Sequence, residues 1–268
     1  MITLTTLGIF ACTVLILATL IFITAQLRQD NSIMDICYGP IFAIATWVTL
    51  CATETYTSAA YIVATLVTIW ALRLGIRIGL KNWGKPEDAR YAAWRNTWMQ
   101  KGRLYFLLRS YLQINLLQGI IIVAVSTPMI LVIAAGDQYS IGNLLYAGIA
   151  VWLLGLALES VADRQLDQFI ARKKAGTESA TLMTRGLFHY SRRPNYFGES
   201  LIWWGLALIA LPTAYGYAAF ISPLLITFIL TKVTGPMLED IFLEKYPEEY
   251  RAYMNTTSYF VPWWPKKN

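Results

Sequence analysis

The sequence predicts an all-α, polytopic membrane bundle of about seven transmembrane helices, and three observations predict it. Of the 268 residues, 56% belong to the types AVILMFWYC. Only 14% are charged, whereas roughly a quarter would be charged in a soluble domain. Apolar runs long enough to cross a bilayer core recur along the chain, with Lys and Arg gathered between alternate runs.

The runs place helices near 2–25, 33–52, 57–80, 106–135, 141–160, 198–213 and 216–234. No basic n-region precedes the first run and no small-residue cleavage motif follows it, so it is predicted to be a retained helix. The connection 160–197 is the longest. No repeat and no low-complexity linker divides the chain, which predicts a single integral membrane domain over 1–268.

Basic residues set the orientation, because Lys and Arg near span ends are retained on the cytoplasmic side. The segments 53–56, 136–140 and 212–215 contain neither. Arg28 follows the first span, and further cations fill 81–103, 164–193 and 245–267. The N-terminus is therefore predicted outside and the C-terminus cytoplasmic, in the inner membrane if the source is bacterial, with membrane lipids as the surrounding partner. The net charge of +6 is then a topology signal and not a nucleic-acid footprint, since the charges flank spans. Ten Trp and sixteen Tyr fit the two interfaces, and Trp263, Trp264 and Pro265 look like an interfacial anchor. Cys12, Cys37 and Cys51 lie in apolar stretches without metal or redox spacing and read as packing residues. The sequence carries no signal for an oligomeric state.

The polar connection is too rich to be only a loop. Residues 159–174 extend the fifth helix into water, with Asp163 and Asp167 one turn apart and Arg164 and Gln168 on the next face. Arg192 and Arg193 precede Pro194, and Asn195, Tyr196, Gly198 and Glu199 open the next apolar span. A helix N-terminus with two guanidiniums alongside suits a phosphate or pyrophosphate, while Asn195 and Glu199 suit a carboxamide or a ribose. The competing reading makes the two arginines topology residues, one of them paired with Glu199. His189 is the only histidine, which excludes a multi-histidine metal site and fits a ring-stacking residue better than a base. With no GxGxxG or Walker string, a nucleotide has to bind outside the Rossmann and P-loop designs. Arg73 and Arg77, at the inner end of the third span, suit either snorkelling or phosphate contact.

The string GLFHYSRRPNYFGESLIWWGLAL resembles the C-terminal signature of the steroid 5-alpha-reductase-like integral membrane reductase family, whose bacterial members carry YSRHPNYFGE followed by WWG. The segment GPMLEDIFLEKYPEEYRAYMNTTSYFVPWWP is similar to the same family's tail, and WALRLGIRI and PEDARY match its earlier pattern. The resemblance is strongest over 159–265 and implies that 159–268 is a cofactor-binding half. It implies a seven-span reductase that takes NADPH from the cytosol and passes hydride to the carbon–carbon double bond of a 3-oxo-Δ4 steroid or similar lipophilic enone. By the same resemblance Asp163, Arg185, Tyr190, Arg193, Asn195, Tyr196 and Glu199 fall in cofactor motifs. Glu239, Asp240, Lys245, Tyr246 and Tyr250 fall in the tail that closes over the nucleotide. Two departures stand out. Leu166 and Ile170 sit where relatives often have basic residues, which turns attention to Arg164, Arg172 and Lys173 for phosphate contacts, and Arg192–Arg193 replaces an Arg–His pair.

Enone reduction needs a donor for the charge growing on the carbonyl oxygen. Asp35, entering the second span, and Glu54, leaving it, are the acids that stand out in the apolar map. Asp35 lies on the side from which a cytosolic cofactor enters and is the preferred candidate, held protonated by apolar surroundings and donating to the carbonyl. The resemblance implies a tyrosine partner on the third span, where Trp70 stands instead, and Tyr38, about one turn beyond Asp35, is a possible substitute. A bland alternative makes Asp35 a helix-capping acid. Two other functions compete: an S-adenosylmethionine-dependent membrane methyltransferase of the isoprenylcysteine or phospholipid type, which shares an acidic pair like Glu239–Asp240, and a lipid transporter, which would show inverted repeats. Asp35→Asn is expected to slow enone reduction while leaving NADPH binding largely intact; a variant with full turnover would remove Asp35 from the chemistry.

Overall fold

The computed structural model describes residues 2–82 and 84–266. Its regular structure is entirely helical, and no strand occurs among the described residues. Six helices are long and apolar enough to cross a membrane: α1 (Thr3–Arg28), α2 (Ile33–Ala52), α3 (Ser58–Asn82), α5 (Arg103–Val125), α7 (Asn143–Lys174) and α9 (Gly216–Lys245). Between and after them lie α4 (Ala89–Met99), α6 (Thr127–Ala135), α8 (Pro194–Ala210) and α10 (Pro247–Thr256). Large apolar side chains such as Leu4, Leu27, Ile76, Leu80 and Leu153 lie on the outside, where lipid tails and not water suit them. The chain is a multi-pass integral membrane protein.

Most expected spans are present with altered ends. The fourth expected span, 106–135, is broken at Ser126, because Pro128 removes a backbone donor in the first turn of α6. The sixth, 198–213, is α8, which has 17 residues and so reaches only about 25 Å along its axis. Lys267, counted among the tail cations, lies outside the described residues. Cys12 and Cys51 are exposed instead of packed, a position that costs a weakly polar thiol little against lipid; all three cysteines are free.

Two compact units divide the chain: Met1–Ile141 with Pro212–Ala218, and Gly142–Leu211 with Ala219–Asn268. In the first, α1 buries Phe10, Val14 and Ala18, residues four apart on one stripe. Asn115, within a π-helical turn of α5 (Tyr111–Leu116), donates to the Ala18 carbonyl at 3.2 Å. The pair α2 and α3 approaches closely at Gly39, where an added Cβ would lie 3.0 Å from the Ala71 carbonyl oxygen. Trp47 joins these two helices by donating Nε1–H to Thr68 at 2.9 Å.

A glycine seam organises the second unit. Gly148 and Gly155 on α7 face Gly205 and Gly198 on α8 so closely that a Cβ at Gly148 would sit 2.6 Å from the Gly205 carbonyl oxygen. At Gly155 it would sit 2.7 Å from that of Gly198. Seven-residue spacing on both helices keeps the glycines on one line, and small residues let membrane helices meet backbone to backbone. Beyond the seam, Asn195, about one turn before Gly198 on α8, meets Asp163, about two turns after Gly155 on α7. Gly155→Ala and Gly198→Ala are each expected to lower the thermal stability of the detergent-solubilised protein, by roughly 1–3 kcal/mol. Unchanged unfolding midpoints in both variants would contradict the seam.

Candidate functional site

The N-terminal turn of α8 is where the second unit concentrates its polar groups. Pro194 is the first helical residue, and Arg193 caps the helix without a side-chain cap bond. The two arginines before it have separate fates. Arg192 is buried and committed to the protein: its Nε donates to Glu239 Oε1 at 2.8 Å, Nη2 lies 2.7 Å from the same oxygen, and Nη1 donates to the carbonyls of Thr257 (2.8 Å) and Met254 (3.2 Å). Its backbone N–H donates to the Ser258 carbonyl at 2.8 Å, and Trp263 N–H donates back to Tyr190 at 2.9 Å. Arg192 is thus the knot that ties the tail to the polar connection, and its carboxylate partner is Glu239, not Glu199.

Arg193 is different. Its guanidinium lies over the rings of Phe242, at 5.5 Å, and Tyr196, at 5.7 Å. Its Nε and Nη2 are buried without any hydrogen-bond partner. A buried charged donor left unmatched costs several kcal/mol unless a ligand meets it. This guanidinium sits at a helix N-terminus against two aromatic rings, surroundings of a kind that favour an anion.

Other sequence-derived cofactor candidates gather around this pair. Asn195 donates to Asp163 at 3.4 Å, and Asp163 is buried on α7. Glu199 accepts from the Trp203 indole at 2.8 Å. Tyr250 donates to Glu239 at 3.2 Å and stacks on Phe242 at 5.2 Å between ring centres. Burial holds the Tyr250 phenol above its ordinary pKa, with Glu239 adding to the rise and Arg193 opposing it. Tyr190 packs edge-on against Trp264 and His189, so the lone histidine is a ring-stacking residue. Lys245 lies over the Tyr246 ring at 5.3 Å, and Asp240 is exposed. Three basic candidates are taken up locally: Lys173 donates to the Ala180 carbonyl at 2.7 Å, and Arg172 and Arg185 both pair with Glu178, which folds the connection after α7. Arg164 is exposed.

In the first unit the acid singled out from sequence has acquired a partner that was not. Asp35, in the first turn of α2, accepts a hydrogen bond from the Tyr91 hydroxyl at 2.6 Å and lies 3.3 Å from Arg90. Burial raises the Tyr91 phenol well above its ordinary pKa, and the adjacent Asp35 charge adds to the shift, so Tyr91 keeps its proton. Gln118 on α5 donates to the same hydroxyl at 3.5 Å. Tyr91 closes the PEDARY string, which matched the family pattern; its role was concealed because α4 is polar on average and reads as a connection. Tyr38 packs edge-on against Phe42, which packs edge-on against the buried Trp70. Arg73 and Arg77 are half-buried in the C-terminal half of α3, and Glu54 is exposed in the α2–α3 turn.

These features define an integral membrane protein with an arginine at a helix N-terminus, two of whose nitrogens are buried without acceptors, and a phenol–carboxylate pair of a buried Tyr91 and a half-buried Asp35. The chain belongs to the family described as "Protein of unknown function (DUF1295)", whose model matches residues 21–257. It is also similar to an uncharacterized protein of Schizosaccharomyces pombe, C594.04c, with 24% identity over 225 residues. That match covers 75% of this chain and 62% of the yeast protein's length. No solved structure matches the chain. Arg192→Ala is expected to lower stability by about 3–5 kcal/mol, because it strands Glu239 and frees the tail. Arg193→Ala is expected to leave the unfolding midpoint unchanged or higher. Equal losses in the two variants, measured by thermal unfolding in detergent, would contradict this division of labour.

Proposed function

We propose that the protein is an NADPH-dependent membrane reductase that transfers hydride to the carbon–carbon double bond of a 3-oxo-Δ4 steroid or a similar lipophilic enone. The observation that carries this reading is the half-buried Arg193 side chain at the start of α8, whose Nε and Nη2 are buried without a hydrogen-bond partner. A phosphorylated dinucleotide supplies the anion that this arrangement lacks, and the resemblance of the surrounding string to the reductase signature specifies which dinucleotide. Arg193 and the α8 N-terminus would hold a phosphate, Asn195 and Asp163 would meet a polar ring substituent, and the stacked Phe242 and Tyr250 would hold the tail closed. Bound NADPH supplies the hydride.

The first unit carries a group of the kind that enone reduction also requires. Hydride arriving at the β carbon pushes an electron pair onto the carbonyl oxygen, and a neutral phenol donating to that oxygen stabilises the enolate as it forms. Tyr91 has this donor, and Asp35 orients its hydroxyl. A proton then reaches the α carbon, completing addition of two hydrogens across the double bond. Apolar surroundings keep water from competing.

The excess of Lys and Arg in alternate connections supports seven crossings with α8 as one of them, an outer N-terminus and a cytoplasmic C-terminus. S-adenosylmethionine carries no phosphate and gives Arg193 nothing to bind, which disfavours the methyltransferase. Calorimetry on the purified protein is expected to show NADPH binding without comparable S-adenosylmethionine binding. Arg193→Ala is expected to weaken NADPH by about 10- to 100-fold, as loss of a charge-assisted contact implies. Binding of S-adenosylmethionine alone, or NADPH affinity indifferent to Arg193, would refute the reading.

A further inference from the structure

The Tyr91–Asp35 contact joins the third residue of α4 to the third residue of α2. One turn earlier the same two helices are tied again. Glu87 and Asn31 each precede the capping residue of their helix, Asp88 and Ser32, and the Asn31 N–H donates to Glu87 Oε1 at 2.7 Å. Arg95 grips both oxygens of Glu87 as a fork, Nε at 2.8 Å and Nη2 at 2.9 Å. The Glu87 side chain is 9% exposed and that of Arg95 20%. The alternative tie, Arg90 to Asp35, involves an arginine side chain that is 53% exposed, and exposed pairs of that kind hold little.

Both members of the inner tie are themselves fixed. Asn31 Oδ1 accepts from Ser110 at 2.9 Å and from Gln26 at 3.0 Å, which anchors it to α5 and α1. The Arg95 guanidinium lies over the Phe106 ring of α5 at 5.0 Å. A two-point attachment one helical turn apart fixes both the distance and the rotation of α4 on α2. A single contact would leave the phenol free to swing.

We propose that Glu87, locked by Arg95, is a positioning residue that sets the Tyr91 hydroxyl on Asp35. The proposal rests on the reductase reading only where Tyr91 is the donor to the enone oxygen; the latch itself is a property of the first unit. Glu87 touches neither phenol nor substrate and acts by fixing the start of α4.

The test is the NMR signal of Tyr91 in protein labelled with 13Cζ-tyrosine and held in lipid nanodiscs, assigned with Tyr91→Phe. Asp35→Asn supplies the resonance position of the phenol without its carboxylate acceptor. Glu87→Gln and Arg95→Met are expected to move the Tyr91 resonance toward that position, and the milder Glu87→Asp is expected to move it part of the way. With NADPH and progesterone as the 3-oxo-Δ4 probe, kcat is expected to fall about tenfold or more in Glu87→Gln with KM nearly constant. A Tyr91 resonance at the wild-type position in Glu87→Gln and Glu87→Asp would overturn the latch. If the resonances move as described but the wild-type protein does not reduce enones, the latch stands and the reductase reading falls.

Discussion

A guanidinium carries its charge wherever it is placed, so a buried one needs acceptors from the protein or an anion from outside. Two adjacent arginines meet this constraint in opposite ways, and the second unit depends on the difference. Arg192 takes a carboxylate and two carbonyls from the tail, which converts the C-terminal segment into a fixed wall. Arg193, one residue later, is turned between two rings with nitrogens unmatched. One arginine ties the tail down, and the other keeps two buried nitrogens without acceptors.

The helix seam beneath them makes the arrangement possible. Gly198 and Gly205 let α8 lie directly on the backbone of α7, so the first turn of α8 is held level with Glu159 and Asp163. Side chains any larger would lift α8 and separate Asn195 from Asp163. The tail adds a second restraint: Tyr253 hydrogen-bonds the Phe188 carbonyl, and Ser191 donates to the Phe260 carbonyl at 2.8 Å. Polar groups in a membrane protein are expensive to bury singly, and here they are buried as a connected set.

Much of this was legible in the sequence because it is local. Apolar run length gave α2 over the residues it occupies, and the polar stretch after the fifth span is the helical continuation to Lys174 that i, i+4 spacing indicated. The sixth run was expected from 198, and α8 starts four residues earlier, at Pro194. Partnerships across long separations were not legible: two neighbouring arginines look alike until Glu239, 47 positions away, claims one of them. Tyr91 was hidden for a similar reason, since its acceptor is 56 positions earlier and α4 has no apolar stripe to announce it. The expected run 106–135 concealed the break at Ser126, because hydropathy does not register a missing amide donor.

In the first unit an acid read in isolation has neighbours that are distant in sequence. Asp35 in an apolar run suggests a protonated donor; the structure brings the Tyr91 phenol to it at 2.6 Å and the Arg90 guanidinium at 3.3 Å. The measurement that bears most directly on the whole account is an experimental structure of the protein with NADP+ bound. Phosphate oxygens are expected within hydrogen-bonding distance of Arg193 at the start of α8, with the Arg192–Glu239 pair intact. A dinucleotide seated elsewhere, or Arg193 satisfied by acceptors of the protein itself, would contradict it.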